Sequence, residues 1–187
     1  MFAVIFIILF LLFRPELDRK SDLPELPFLG TVLPFDLTDQ NNRRFNFSEL
    51  KGELIVLSFY SKNPNSVNQV IHSKLLELQA SLKRKKNIRI ISVALDFTSD
   101  SIHAAQSLAT YWNVNPRIWS FTVSSMKTAD SIFAFSDTLN HYSSVNEKSI
   151  YLIDKNGKIR LITDGMNSLF TSDILTNISL LLRKEHE

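Results

Sequence analysis

The four histidines, at 72, 103, 141 and 186, are the residues here best suited to holding a metal or moving a proton near neutral pH. No two of them stand at HxxxH or HExxH spacing, so no helix presents a ligand pair on one face. Asp96 and Asp100 lie together after an apolar run, at a strand's carboxyl end, where ligand crevices of α/β proteins open. A loop aspartate also caps the helix that follows it, and Asp100, preceding Ser101 and Ile102, reads as such a cap. Asp137, Asp154 and Asp164 read as turn residues. Ser58 and Ser61 have no partner base in their surroundings, and no G-x-S-x-G elbow is present. The chain contains no cysteine. Disulfides, thiol nucleophiles, cysteine-ligated zinc or iron–sulfur centres and lipid attached to cysteine are thereby excluded, and any redox role would need a bound metal or cofactor. Only four glycines occur, at 30, 52, 157 and 165. They assemble neither GxGxxG nor GxxxxGK[ST], so no glycine loop cradles a phosphate.

These side chains must be positioned by one domain, since 187 residues with 44% hydrophobic and 21% charged composition can bury one substantial core. A net charge of +2 makes no general case for a nucleic-acid partner. The basic run Lys83, Arg84, Lys85 and Lys86 closes a helix, where it opposes the dipole, and has no interleaved aromatic to stack a base. No nucleic acid is expected.

Residues Phe2 to Phe13 form an unbroken apolar run of twelve. As a helix it would rise ~18 Å against a hydrocarbon core of ~30 Å. With no polar face and no small-residue cleavage site after it, residues 1–13 read as a membrane anchor of the uncleaved signal-anchor kind; a buried core element is the alternative. Arg14, Arg19 and Lys20 would by the positive-inside rule lie in the cytoplasm, whereas an exported domain requires them outside. Residues 14–30 hold three of the six prolines and read as an extended tether, leaving 31–187 as the folded domain.

Within that domain VLPFDLT and FNFSEL read as two strands joined by an Asp/Asn turn, with a helical turn from Ser48 to Lys51-Gly52. ELIVLSFY (53–60) and IRIISVAL (88–95) are continuous branched-apolar runs, as two-face-buried strands require. Between them Val67, Ile71, Leu75, Leu78 and Leu82 recur at helical spacing over 65–84, with Val70 beside them. A second helix spans 101–112, with Ile102, Ala105, Leu108, Ala109 and Trp112 inward, and a short strand IWSFTV follows Pro116. Thr128 caps a predicted helix running through Ile132 and Phe135, with Asp130 in its first turn. SIYLID and KIRLIT form a hairpin around Asn156-Gly157, and Thr171, Ile174, Leu175, Ile178 and Leu181 or Leu182 mark a closing helix. The order predicts an α/β, thioredoxin-like fold: a mixed central sheet flanked on both faces by helices, with an added N-terminal hairpin.

The stretch from about Val32 to Leu182 resembles the SCO/SenC family of membrane-anchored thioredoxin-fold proteins that assist assembly of the copper centre of cytochrome c oxidase. PFDLTDQNNRRFNFSELKGELIVLSFY resembles the general thioredoxin/peroxiredoxin opening. ISVALDFTSDS places Asp96 and Asp100 on the family's two aspartates, with Phe97 where its proline would be, and IYLIDKNGKI is similar to its YLIDPDG hairpin. The resemblance implies a copper site of two cysteines in a CPxxC loop and a histidine five residues before the YLID tyrosine. Asn63-Pro64-Asn65-Ser66-Val67 occupies that loop, so Asn63 and Val67 replace both cysteines and Asn146 the histidine. Pro64 and Asn63 then read as helix start and cap, and Val67 as a packing residue. His141, in a loop that could approach Asn63, is the one candidate for a substitute ligand.

The expected function is a membrane-tethered, non-catalytic binding or assembly role, with no catalytic residue, cofactor or metal, and the domain periplasmic or otherwise extracytoplasmic. The partner would be an oxidase subunit or assembly factor docking on an exposed apolar patch, for which Phe59, Tyr60, Tyr111, Trp112 and Trp119 are candidates only if they face outward; most of them read as core. The alternatives are a copper-binding assembly factor with replacement ligands and a thioredoxin-like enzyme with a non-cysteine site.

Overall fold

The computed structural model describes residues 24–61, 65–95, 101–124, 132–135 and 145–183. In chain order they form β1 (Gly30–Val32), β2 (Asp36–Asp39), β3 (Arg44–Asn46), a 3-10 turn (Phe47–Leu50), β4 (Leu54–Tyr60) and α1 (Ser66–Leu82). Then come β5 (Ile88–Ala94), α2 (Ser101–Tyr111), β6 (Trp119–Ser124), β7 (Phe133–Phe135), β8 (Ser149–Ile153), β9 (Lys158–Asp164) and α3 (Phe170–Arg183). The strands join in one mixed sheet, ordered β3-β2-β6-β5-β4-β8-β9-β1-β7. β4, β5 and β6 run parallel; the remaining pairs are antiparallel. This is the thioredoxin-like arrangement the sequence predicts.

β4 is buried along its whole length, as its continuous apolar run requires. Alternate residues feed two cores. Leu54, Val56, Ile90, Trp119, Phe121 and Leu152 pack with Ile71, Leu75 and Leu78 of α1, Ala105 and Leu108 of α2, and Ile174 and Ile178 of α3. Ile55, Leu57, Phe59, Ile91, Val93, Tyr151 and Ile153 face the other way, onto Phe35, Leu37, Phe45, Phe47, Leu50 and Phe133.

Helices were expected on both faces; among the described residues all three bury their apolar sides in the first core alone. The reason is topological. β4 to β5 to β6 advances in one direction along the sheet, so two right-handed crossovers put α1 and α2 on the same face. The opposite face is covered by the β2-β3 hairpin, the 3-10 turn, β1 and β7.

The predicted helix through Ile132 and Phe135 is also corrected. Phe133–Phe135 is a strand, paired antiparallel to β1 in the register Gly30↔Phe135, Val32↔Phe133. Phe133 stacks on Tyr151 at 4.4 Å between centroids and meets Phe59 edge-on at 6.2 Å. Three residues carry too little periodicity to separate strand from helix, and the partner that decides the matter lies about a hundred residues upstream. Thr128 and Asp130 lie outside the described residues.

The chain before the domain is laid along β9. Leu29 N–H donates to the Ile159 carbonyl at 3.0 Å, and Arg160 Nη1 donates to the Leu26 carbonyl at 3.1 Å. Arg160 is held by Asp154 Oδ2 at 2.7 Å, while Asp154 Oδ1 accepts from the Asn156 and Lys158 amides across the β8-β9 turn. Gly157 closes that turn at φ +80, a left-handed conformation that favours glycine. No helix among the described residues is long and apolar enough to cross a membrane; the run Phe2 to Phe13 lies outside them.

Candidate functional site

The end of β4 and the start of α1 form the edge that the copper loop occupies in the resemblance. Asn65, in extended backbone at φ −95 and ψ −175, is the N-cap of α1, its side chain accepting the Asn68 amide at 3.0 Å. The cap therefore falls two residues later than Asn63, and α1 starts after Pro64 rather than on it; Asn63 and Pro64 themselves lie outside the described residues. Asn satisfies one of the four amides a helix start leaves unpaired. Asn68 is itself buried, and its Oδ1 accepts the Ser61 amide at 3.2 Å, tying the end of β4 to the first turn of α1.

On the facing loop, just before β8, Asn146 is exposed and builds a turn. Its Oδ1 accepts the Lys148 amide at 2.9 Å, its own amide donates to Ser149 Oγ at 3.3 Å, and its carbonyl accepts the Ser149 amide at 3.0 Å. Beside it, Glu147 Oε2 accepts a hydrogen bond from Asn65 Nδ2 at 2.8 Å. The two loops that the resemblance assigns to copper thus meet, and they meet through an amide and a carboxylate. Sequence reasoning missed both partners. The helix boundary after Pro64 was the available signal for Asn65; nothing local marks Glu147, because its partner stands 82 positions away.

Val67 is half-buried on α1 and packs against the first core, so it offers no lone pair there. His72 is buried completely among aromatic rings, with centroids of Phe121 at 5.1 Å, Trp112 at 5.6 Å, Trp119 at 6.0 Å and Tyr60 at 6.4 Å. Neither ring nitrogen has a hydrogen-bond partner among the described residues. Burial lowers its pKa from 6.5 to about 4, so the ring is neutral across the physiological range. The Tyr60 phenol is pushed upward by the same cause and donates to the Thr122 carbonyl at 3.2 Å. His103 is exposed on α2. His141, His186, Asp96, Phe97, Asp100 and Asp137 lie outside the described residues. Asp154 bonds the β8-β9 turn as read, while Asp164 is the last residue of β9 and its Oδ1 accepts the Met166 amide of the turn that follows at 2.8 Å.

Ser58, read as lacking a base, shares a buried hydroxyl contact of 2.7 Å with Ser92 Oγ, which also accepts Trp119 Nε1 at 2.9 Å. This is a structural network inside the sheet. Most of the five aromatics are core, as read: Phe59, Tyr60 and Trp119 are fully buried and Trp112 is half-buried against His72, so that of the five only Tyr111, 76% exposed, faces solvent.

The donor set does not fit the copper that the resemblance implies. Cu(I) selects thiolate and thioether ligands. No cysteine exists in the chain, valine has no donor, and the oxygen of Asn146 is hard and already engaged by Lys148.

A family model described as the AhpC/TSA family matches residues 30–162, more than half of the chain. The chain belongs to the AhpC/TSA family. Among its relatives, an SCO1 protein homolog of Bacillus subtilis (strain 168) is 21% identical over 160 residues, covering 81% of this chain and 83% of the relative. BsSco, a member of the Sco family of cytochrome c oxidase assembly proteins in which a disulfide switch has been identified, superposes with a TM-score of 0.67 at 20% identity. That match covers 83% of this chain and 95% of BsSco. A SCO1/SenC family lipoprotein of Bacillus anthracis superposes at 0.66 with 19% identity, covering 83% and 97%. The Sco resemblance read from the sequence is borne out by these relatives, and the AhpC/TSA domain here retains that fold without a single cysteine.

Proposed function

We propose that this chain is a membrane-tethered, Sco-like binding or assembly protein connected with cytochrome c oxidase biogenesis, and that it works without the copper site and without catalysis. The observation that carries the reading is the 2.8 Å hydrogen bond between Asn65 and Glu147: where a Sco protein would join its two loops through a metal, this chain joins them through its own side chains. Its partner is an oxidase subunit or another assembly factor, as the role of BsSco supports. The lipoprotein relative supports an extracytoplasmic domain held at a membrane, with residues 1–13 as the anchor and 14–30 as the tether.

The test is copper retention by the full chain in neutral detergent. After loading with Cu(I) and desalting, the unaltered protein is expected to keep well under one equivalent by mass spectrometry. Combined Asn63→Cys, Val67→Cys and Asn146→His substitutions should restore stoichiometric binding, because the loops still meet. Stoichiometric copper in the unaltered chain, lost on His141→Ala, would replace this reading with that of a copper-binding assembly factor using a rebuilt site.

A further inference from the structure

We propose that a basic groove at the opposite end of the sheet is a binding site for a ligand carrying clustered phosphate groups. The groove encloses about 760 Å³ and is built from four separate places in the chain: the β2-β3 turn, Glu53 just before β4, the stretch from the end of α1 into β5, and the loop before β6. Because β4, β5 and β6 are parallel, it opens beside the amino ends of strands whose carboxyl ends approach the Asn65–Glu147 edge. It goes beyond the proposed function and shares no residue with it.

Six cationic side chains line the groove, Arg43, Lys83, Lys85, Lys86, Arg89 and Arg117, against two acidic ones, Asp39 and Glu53. That excess of four positive charges exceeds the +2 of the entire chain. Both acids are already counted in that excess: Asp39 Oδ1 is engaged by the amides of Asn41 and Arg43 at 2.8 and 3.0 Å, and Glu53 Oε2 forms a long ion pair with Arg89 Nε at 3.9 Å. Arg89 is the fixed element. Its Nη2 donates to Ser120 Oγ at 2.9 Å, while its buried Nε has no hydrogen-bond partner among the described residues. The side chains of Arg43, Lys83, Lys85, Lys86 and Arg117 form no ion pair or hydrogen bond there either.

The tetrapeptide Lys83–Lys86 reads in sequence as the solvated end of a helix. Folding adds three arginines to it, and those arginines change its chemistry. Planar guanidinium forks among lysine point charges suit an anion with several oxygens that can be approached from different sides. Among the described residues no aromatic lines the groove to stack a base, which disfavours a nucleic acid. Two sources share the favoured chemistry: a soluble oligophosphate and the headgroups of an anionic phospholipid.

Calorimetric titration of the full chain in neutral dodecyl maltoside micelles separates them. One arm adds inorganic tripolyphosphate, the other mixes phosphatidylglycerol into the micelles. Saturable tripolyphosphate binding that weakens as salt rises identifies a soluble ligand; binding only to the doped micelles identifies a headgroup; either supports the site. Combined Lys85→Gln, Lys86→Gln and Arg117→Gln should weaken that binding about tenfold or more. The exposed set Lys51→Gln, Lys148→Gln and Arg183→Gln, which removes the same charge elsewhere, should change it less than about twofold. Since none of the six substituted side chains makes a hydrogen bond or ion pair among the described residues, both variants should melt like the unaltered chain. Equal weakening by both sets, or no binding in either arm, would overturn the proposal.

Discussion

At His72 an imidazole sits inside a ring of aromatics with both nitrogens unpartnered, and this couples stability to pH. Its folded pKa of about 4 lies below the 6.5 of an exposed histidine. Above 6.5 the ring is neutral in both states and contributes no pH dependence. As pH falls from 6.5 towards 4, the unfolded chain takes up a proton that the folded chain refuses, so stability declines. Between pH 7 and pH 5 the expected loss is about 2 kcal/mol. Urea unfolding of His72→Leu should lack this component, and an unchanged pH slope in that variant would show that the imidazole does not carry it. Ser92 is the second sensitive residue. Its hydroxyl serves both Ser58 and Trp119, so Ser92→Ala strands two buried polar groups and should cost about 2–4 kcal/mol. Ser58→Ala leaves the Trp119 bond intact and should cost about 1 kcal/mol; equal losses would contradict the shared-acceptor geometry.

Among the elements, α1 begins at a residue that serves both the helix and the facing loop. Asn65 both caps the helix and reaches Glu147, so its side chain has two separable tasks. Asn65→Ala removes both and should cost about 1–2 kcal/mol. Asn65→Asp keeps the capping oxygen but sets a carboxylate against Glu147, and the loss should be largely relieved when Glu147→Gln is added. A double-mutant cycle in thermal unfolding measures that coupling; additive effects would mean the two loops are not joined in solution. Such a result would also remove the observation on which the copper-free reading rests. Elsewhere the 3-10 turn is fixed by a capping box, Asn46 accepting the Ser48 amide while Glu49 accepts the Asn46 amide.

For the whole molecule, the segment leading into the domain is where anchor and fold must be separated. The Leu26 carbonyl and Leu29 amide are bonded to β9, so removing residues 1–28 strips a contact to Arg160 that removing 1–23 preserves. The chain lacking 1–23 should unfold cooperatively and remain soluble, and the chain lacking 1–28 should be less stable by about 1–2 kcal/mol. The full chain should stay in the membrane pellet after alkaline carbonate washing, because residues 2–13 offer an unbroken apolar surface to lipid. Release of the full chain into the supernatant would remove the anchor. Failure of the chain lacking 1–23 to fold would make that run part of the core.

What the sequence determined by itself is whatever depends on residues near one another. The branched-apolar runs of β4 and β5 allow little but buried strands, Asn156-Gly157 with Asp154 specifies its turn, and the spacing from Val67 to Leu82 makes a helix whichever partner it meets. The absence of cysteine settled the loss of thiol chemistry without any geometry. Tertiary structure decided everything that depends on distant pairing. β7 exists because β1 offers it a backbone edge, and the helices share one face because successive crossovers advance the same way. Asn65 finds Glu147 across 82 positions, and a commonplace basic helix end becomes a groove when Arg43, Arg89 and Arg117 fold against it. Local propensity fixes an element, but contacts between elements follow from the register and curl of the sheet, and no short window of sequence contains those.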